Sequence, residues 1–309
     1  MMPPMPNIVL TDGGMGQELV HRSSTPPTPL WSGLVLMQEP ELVRDLHAEF
    51  IRAGARVITI NAYAATPERL AREGGEALFE TLQQRAIDLA CGARDAIGQD
   101  DEVLIAGCLS PLFGSYQPEL TISFEDTLAI YRRIVAEQGE RVDLMLCETM
   151  ASAEEGRAAA IAASESGKPV WMSWTLADDP GPPRLRSGET LATAAAALEG
   201  IPLAARLVNC SRPETVTAAL NDLVALGGPV GAYANAFPAV DDLKHGGTVD
   251  VLGVRDDLGP AEYAEAAMGW VAGGATIVGG CCEVGPAHIA ALRDRLTGAG
   301  YTTVAAVGA

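Results

Sequence analysis

The sequence predicts an α/β fold, a single (β/α)8 barrel of the TIM type in one domain that spans residues 1–309. Short runs of β-branched and apolar residues recur along the chain, and amphipathic stretches with helical spacing separate them. There are eight such runs in 309 residues, which fits the strand number and length of one barrel. A doubly wound open sheet is the alternative. Gly13-Gly14-Met15-Gly16 does not have the G-x-G-x-x-G spacing of its dinucleotide-binding form.

The alternation of apolar runs and helical stretches is typical of βα units around a parallel sheet. Between the runs, Pro40–Ile51 predicts a helix, because its apolar residues recur at helical spacing behind a proline at the first helical position. Thr25–Pro29 and Asp178–Pro183 are rich in proline and predict loops. In chain order, the predicted strands are Ile8–Leu10, Val57–Ile60, Val103–Ala106, Leu144–Cys147, Val170–Trp174, Leu207–Val208, Val230–Tyr233 and Thr276–Val278.

The composition argues against nucleic-acid-binding, membrane and secreted proteins. The net charge of -19 and the absence of a basic stripe argue against a nucleic-acid partner. The longest apolar stretches are far shorter than the roughly 20 residues that cross a bilayer, and Met1–Pro6 has no basic segment of a signal peptide. We therefore expect a cytoplasmic protein, not bound to a membrane, that acts on small molecules. The sequence leaves a monomer and a homo-oligomer as alternatives. Without a secretory signal, the six cysteines favour metal binding or catalysis over disulfides.

Polar or sulfur-bearing residues follow most of the predicted strands. A barrel collects the residues at the carboxyl ends of its strands into one site. We therefore predict that these residues form a cluster at one end of the barrel. They are Asp12, Gly13 and Gly14 after the first strand, Asn61 after the second, Glu148 and Thr149 after the fourth, Asn209, Cys210 and Ser211 after the sixth, Asn235 after the seventh, and Cys281 and Cys282 after the eighth.

The adjacent pair Cys281-Cys282 is the most specific of these signals. Neighbouring side chains of a regular strand point to opposite faces, so the two sulfurs can meet only where the strand breaks down. The preceding Gly279-Gly280 would permit this, because glycine adopts backbone angles that other residues avoid. Cys210 lies 71 residues earlier, but strands six and eight flank strand seven at the rim. The alternative, three buried core cysteines, leaves their shared position unexplained.

Three thiolates leave one position of a tetrahedral Zn²⁺ ion open, as in a catalytic site. Because each thiolate donates charge, such an ion can bind a substrate thiol and lower its pKa while the sulfur stays nucleophilic. Alkyl transfer to a thiol is therefore favoured over hydrolysis. Cys91, Cys108 and Cys147 sit singly among small or apolar neighbours or on a helix, and we interpret them as structural.

The strand-end motifs resemble the homocysteine S-methyltransferase family, zinc-dependent barrels that convert homocysteine to methionine. The resemblance covers nearly the whole chain, and its last two motifs are the most specific. The motifs are Asp12-Gly13-Gly14-Met15-Gly16-Gln17-Glu18-Leu19, Ile60-Asn61-Ala62-Tyr63-Ala64-Ala65-Thr66, Leu146-Cys147-Glu148-Thr149, Val208-Asn209-Cys210-Ser211-Arg212-Pro213-Glu214 and Gly279-Gly280-Cys281-Cys282.

The resemblance implies a role for each group. Cys210, Cys281 and Cys282 would bind Zn²⁺ with the homocysteine thiolate as fourth ligand. Asp12 and Glu148 would hold the substrate ammonium, and the backbone amides of Gly13-Gly14 its carboxylate. Both roles agree with the chemistry of charge-assisted hydrogen bonds and glycine turns. Read from the residues alone, Asp12 could equally be a helix cap or turn residue and Glu148 a buried partner of an arginine.

The segment Leu30-Trp31-Ser32 followed by Pro40–Val43 is similar to the branch that uses S-methylmethionine or S-adenosylmethionine as methyl donor. Aromatic faces attract such sulfonium cations. Trp31, Tyr63 and Asn235 are the candidates for the donor pocket. Further aromatic candidates for its wall are Phe113, Tyr116, Trp174 and Tyr233.

Three alternatives remain at this point: a betaine-type donor, a different thiol or selenol acceptor, and a zinc-binding scaffold without activity. Structural zinc needs neither Asp12 nor Glu148, so their presence argues against the scaffold. The chain departs from the family at Ala234 and Phe237 of strand seven, which affects the expected donor loop. Asn61 and Cys108 also replace residues that are more often Thr and Ser.

Overall fold

The computed structural model describes residues 6–99, 102–240, 242–243, 247 and 251–306. Nine strands form one parallel sheet in the order β2-β3-β4-β5-β6-β7-β8-β1-β9. Each predicted strand is present, and the predicted barrel is confirmed. The strands are β1 (Asn7–Leu10), β2 (Val57–Thr59), β3 (Leu104–Leu109), β4 (Leu144–Met150), β5 (Val170–Trp174), β6 (Ala205–Asn209), β7 (Val230–Tyr233), β8 (Ile277–Val278) and β9 (Thr302–Val304).

Strand β1 closes the ring. It pairs with β8 on one edge, Val9 opposite Ile277, and meets β2 through an isolated parallel bridge between Thr11 and Val57. The ninth strand, β9, was not predicted and pairs with the first half of β1, Asn7 opposite Thr302. Its three residues are exposed or only partly buried. A segment this short and half-exposed has no apolar run to indicate it.

Helices lie between successive strands. The predicted helix at Pro40–Ile51 is confirmed as α3, which begins at Pro40 and ends at Ala53 before Gly54 in the left-handed region. Among the described residues, no helix is both long and apolar enough to cross a bilayer. The α-helices are α1 (Met15–Arg22), α2 (Ser32–Gln38), α3 (Pro40–Ala53), α4 (Pro67–Arg72), α5 (Phe79–Ile97), α6 (Phe124–Gln138), α7 (Ala153–Ser164), α8 (Leu191–Ala196), α9 (Pro213–Ala225), α10 (Pro260–Ala272) and α11 (Pro286–Gly298), with 3-10 turns at Glu76–Leu78 and Pro118–Leu120.

The apolar side chains form two main layers, because alternate residues of each strand point to opposite faces. The larger layer fills the space between the sheet and the helices. The smaller fills the barrel interior, and its upper members Leu146, Trp171 and Tyr233 line the cavity above it. The interior is therefore closed below and open only at the carboxyl ends of the strands.

The carboxyl ends of β1 and β8 pack closer than side chains would allow. A Cβ atom on Gly279 would overlap Thr11 Oγ1 and lie 2.9 Å from the Asp12 carbonyl oxygen, and one on Gly280 would overlap Val284. Neither glycine has a φ in the left-handed region, so the predicted reason for them was wrong. They permit the close approach of two backbones and do not supply an unusual turn.

Replacing Gly279 with alanine should destabilise the protein by about 2 kcal/mol, because the added methyl group has to displace the β1 backbone. The matched control is Gly92→Ala in the middle of α5, where an added Cβ meets nothing within 4 Å. The control should gain roughly 0.5–1 kcal/mol from helix propensity. Urea unfolding midpoints of both variants test this, and equal midpoints would contradict the packing argument.

Candidate metal centre and substrate cavity

The three cysteines of the predicted zinc site meet at the top of the barrel. Their Sγ atoms all lie within 4.8 Å of one another, with Cys210 2.7 Å from Cys281 and 3.8 Å from Cys282. The segment after β7 holds the two loops together. The Cys210 amide donates to the Tyr233 carbonyl (3.1 Å) and the Cys281 amide to the Ala234 carbonyl (2.9 Å).

The donor set fits a soft or borderline metal ion. Metal–sulfur bonds of about 2.3 Å in tetrahedral geometry place two sulfurs about 3.8 Å apart. The Cys210–Cys282 separation already has this value, and the Cys210–Cys281 pair would have to open by about 1 Å. Cys91, Cys108 and Cys147 are free and are not part of the cluster, as predicted.

The cluster favours one thiolate among its three sulfurs. Burial alone would raise the pKa of Cys210, but hydrogen bonds with Cys281, Cys282 and Tyr116 outweigh it and hold the pKa well below its usual range. The Tyr116 hydroxyl lies 3.0 Å from Cys210 Sγ. Tyr116 was predicted only as an aromatic wall residue. Its hydroxyl contact with a ligand thiol could not be read from spacing.

Backbone strain is concentrated at this site. Among the described residues, five other than glycine have a left-handed φ, and all lie at the cavity or next to a cavity residue. Such conformations cost of order 1–3 kcal/mol each and persist where the surroundings impose them. The five are Trp31, Tyr116, Thr149, Cys210 and Glu283.

Strand β4 carries Glu148 and is distorted at Thr149, which has a left-handed φ. The strand continues to Met150, so Glu148 lies within the strand and not after it as predicted, at a register shift between Cys147 and Met150. Buried Asn209 holds the distortion, accepting from the Thr149 amide (2.9 Å) and donating to its hydroxyl (2.8 Å). Glu148 faces the cavity because it lies on the same face of β4 as Leu146, which points into the barrel interior.

Two carboxylates, Asp12 and Glu148, line the cavity that contains the cysteines. Asp12 Oδ2 accepts from the Thr59 amide (2.8 Å), and Glu148 Oε1 from the Cys108 thiol (3.0 Å). No ion pair with either is found among the described residues, so an arginine partner for Glu148 is not seen. Burial raises the pKa of Asp12 well above its usual range despite the Thr59 hydrogen bond. Burial likewise raises the pKa of Glu148 to about 7.

The glycine turn after β1 also lines the cavity. The Gly14 amide donates to the Val284 carbonyl (2.9 Å) and is therefore already paired. The Gly13 amide has no acceptor among the described residues. Of the two amides predicted to meet a carboxylate, only that of Gly13 is available.

The cavity encloses about 1370 Å³ when the open space at its mouth is included. Trp31 and Tyr63 line it as predicted, with ring centroids 5.6 Å apart in an edge-to-face pair. Phe113, Tyr116 and Tyr233 also contribute to its wall.

Two predicted wall residues lie elsewhere. Trp174 is in the layer between sheet and helices, because it falls on the opposite face of β5 from Trp171, which does line the cavity. Asn235 is fully buried and lies behind the cysteines, with Nδ2 3.9 Å from Cys210 Sγ. Asn235, which was predicted to line the donor pocket, therefore does not line the cavity. The alternation of side chains along β5 would have predicted Trp171, and not Trp174, as the residue that lines the cavity.

A hydrogen-bonded chain that was not predicted holds Trp31. The indole Nε1 donates to Gln17 Oε1 (2.7 Å), and Gln17 Nε2 donates to Glu283 Oε1 (2.6 Å). His21 Nε2 lies 3.0 Å from Glu283 at the surface. Because Glu283 follows Cys282 directly, this chain connects the cysteine loop to the aromatic wall.

Known proteins share this sequence and fold. The chain matches the sequence model of the family described as Homocysteine S-methyltransferase over residues 9–296. It is 33% identical to homocysteine S-methyltransferase of Escherichia coli K12, over 94% of this chain and 95% of that one. It is 26% identical to betaine--homocysteine S-methyltransferase 1 of Mus musculus, over 94% of this chain and 72% of the mouse protein. The crystal structure of the metallated form of homocysteine methyltransferase MmuM from E. coli has a TM-score of 0.78 and 32% identity, covering 94% and 96% of the two chains.

Replacing Glu148 with glutamine should change how stability depends on pH. Folding raises the pKa of Glu148 from 4.5 to about 7, so between these values the native state holds a proton that the unfolded chain releases. This group therefore stabilises least at high pH, and its contribution declines as pH rises from about 4.5 to 7. The amide does not titrate, so Glu148→Gln should gain on the order of 2 kcal/mol relative to wild type across that window.

Urea unfolding at several pH values from 4.5 to 7.5 measures the effect. The control is Glu154→Gln, an exposed glutamate in the first turn of α7. A difference between Glu148→Gln and wild type that does not vary with pH would contradict the buried-carboxylate interpretation.

Proposed function

The chain belongs to the homocysteine S-methyltransferase family, and from that premise we propose that it transfers a methyl group from a sulfonium donor to homocysteine, giving methionine. The donor is S-methylmethionine or S-adenosylmethionine. Cys210, Cys281 and Cys282 would hold a Zn²⁺ ion, which would favour the thiolate form of the substrate. The observation that carries this proposal is the convergence of three thiols in one cavity with two carboxylates that have no ion pair among the described residues.

The metal fits the chemistry of the residues. A zinc ion on three thiolates would keep one position for the substrate sulfur and favour its thiolate form at neutral pH. The Tyr116 hydroxyl and the Asn235 amide lie 3.0 and 3.9 Å from Cys210 Sγ and fix that ligand.

The carboxylates and the glycine turn suit the amino-acid end of homocysteine. A bound ammonium group would offset the burial that raises the pKa of Asp12 and Glu148, and would keep both ionised as acceptors. The Gly13 amide is available to the substrate carboxylate, as the Gly14 amide is not. These contacts would direct the thiol toward the cysteines.

The chemical step needs little acid or base. One donor S–CH3 bond breaks as a new S–CH3 bond forms to homocysteine, and the donor leaves as a neutral sulfide. The thiol proton is lost to solvent when the substrate binds. Trp31, Tyr63 and Tyr116 line the cavity and exclude water, so that alignment of the two sulfurs with the methyl group supplies most of the rate.

A zinc scaffold without activity is disfavoured by Asp12 and Glu148. Asp12 is buried and burial raises the pKa of Glu148, and neither has an ion pair among the described residues, so placing both there costs stability. A purely structural metal site gains nothing from them. The betaine donor and the selenol acceptor are distinguished by the assay below.

Replacing Cys281 with alanine should remove zinc and abolish turnover, because two thiolates and no third ligand hold the ion weakly. Zinc content by atomic emission and methionine formation are measured on the same preparation. The control is Cys91→Ala, a free cysteine on α5 outside the cluster, which should retain both. Full activity in a metal-free Cys281→Ala protein would rule out the zinc role.

The zinc-loaded protein should methylate homocysteine from S-methylmethionine or S-adenosylmethionine and not from betaine. Methionine is quantified by mass spectrometry with each donor in turn, and selenocysteine and cysteine are tested as alternative acceptors. Turnover with betaine alone would contradict the sulfonium donor, and faster turnover with selenocysteine would contradict the acceptor.

A further inference from the structure

The charges of the cavity are unevenly distributed. Asp12, Glu148 and the three cysteines lie on β1, β4, β6 and β8 or directly after them. Among the described residues that line the cavity, the only cations are Arg69 and Arg72, both on α4 after β2. The carboxylate-and-thiol part of the cavity is thus faced by two guanidinium groups from another part of the rim.

Arg69 is held in place by neutral groups. Its Nη2 donates to the Pro111 carbonyl (3.0 Å) and to Ser115 Oγ (3.3 Å), and its Cζ lies 5.4 Å from the centroid of the Tyr63 ring. Ser115 Oγ is also 2.8 Å from the Tyr63 hydroxyl. These contacts fix the orientation of the guanidinium without neutralising its charge.

Arg69 also has unused hydrogen-bonding capacity. Its Nε is buried and has no partner, and no ion pair to its guanidinium is found among the described residues. Arg72 likewise has no ion pair there, and it donates to the Phe113 carbonyl. Arg69 acts electrostatically on the buried carboxylate of Glu155, but Glu155 does not line the cavity and forms no ion pair with Arg69 among the described residues. In a chain of net charge -19, a guanidinium that lines a ligand cavity without an ion pair there is unusual, because buried donors without acceptors are costly.

The proposed reaction brings an additional carboxylate into this cavity. S-methylmethionine and S-adenosylmethionine both carry one, and near Asp12, Glu148 and the thiolates it would be repelled. In-line transfer requires the acceptor sulfur, the methyl carbon and the donor sulfur to lie in a row. The rest of the donor then points away from the cysteines, and α4 after β2 is where the described lining of the cavity offers positive charge.

We propose that Arg69, oriented by Ser115 and Tyr63, is the subsite for the carboxylate of the methyl donor and selects donors that carry one. This rests on the proposed function, since it assigns the second substrate of the same reaction. Trp31 and Tyr63 form an edge-to-face pair, and the Arg69 guanidinium lies over the Tyr63 ring, so an aromatic wall for the sulfonium adjoins a guanidinium for the carboxylate.

The test compares S-methylmethionine with its decarboxylated counterpart, (3-aminopropyl)dimethylsulfonium, in wild type and Arg69→Gln. We expect wild type to prefer the carboxylated donor by about 10- to 100-fold in kcat/KM, as for a charge-assisted hydrogen bond. Arg69→Gln should lose most of that preference through a higher KM for the carboxylated donor, and Arg69→Lys should restore part of it. If wild type uses only S-adenosylmethionine, the same comparison is made with decarboxylated S-adenosylmethionine.

The controls separate this role from a structural one. Zinc content and the KM for homocysteine should not change in Arg69→Gln, and Arg157→Gln, which removes a guanidinium above the Phe124 ring outside the cavity, should leave the donor preference unaltered. Ser115→Ala should weaken the preference less than Arg69→Gln and remains informative if the latter does not fold.

Each outcome of these measurements supports or contradicts a stated part of the proposal. Equal slowing with both donors in Arg69→Gln, or no preference in wild type, would overturn the carboxylate subsite. Failure of wild type to methylate homocysteine from any sulfonium donor would instead overturn the proposed function. The two failures are distinguished by the wild-type rates alone.

Discussion

The site depends on the close approach of two backbones at the carboxyl ends of β1 and β8. The Gly280 amide donates to the Asp12 carbonyl (2.9 Å), and the Gly14 amide to the Val284 carbonyl (2.9 Å). Both contacts require residues without side chains at the seam. They hold the backbone at Asp12, after β1, against the cysteine loop after β8, so the proposed ammonium site and the proposed metal site share one piece of backbone geometry.

The seam also explains why strain is concentrated here. A regular strand end cannot direct Cys281 and Cys282 to one point. Cys210, and Glu283 directly after Cys282, have a left-handed φ at the two cysteine loops. A third left-handed residue, Thr149, is held by buried Asn209. Burial of the apolar layers beneath the site offsets the free-energy cost of these conformations. Those layers are continuous around the barrel.

Much of this could be predicted from sequence, for physical reasons that also set the limit. Strand runs, the α3 helix and the three cysteines at strand ends follow from local patterns and from the topology of a barrel. The helix-facing position of Trp174 follows from the alternation of side chains along β5. It was not predicted, because all six aromatic candidates were assigned to the cavity wall without regard to that alternation. Tyr116 contacts Cys210, which lies 94 positions further along the chain. The hydrogen-bonded chain from Trp31 to Glu283 joins residues 252 positions apart. No local sequence pattern predicts contacts over such separations.

The cavity carries acids and thiols at one end and guanidinium groups at the other, because the loops that line it differ in charge. The acceptor end is built from strands whose ends bear acids and thiols, and a substrate ammonium is the natural counter-charge there. A donor that is a cation at sulfur and an anion at its carboxylate cannot be held by that end alone. In the proposed arrangement, the aromatic wall of Trp31 and Tyr63 would accept the first charge without repelling the thiolates, and Arg69 would accept the second. The two zwitterionic substrates would then bind in opposite orientations, which would bring their sulfur atoms toward each other between the two ends.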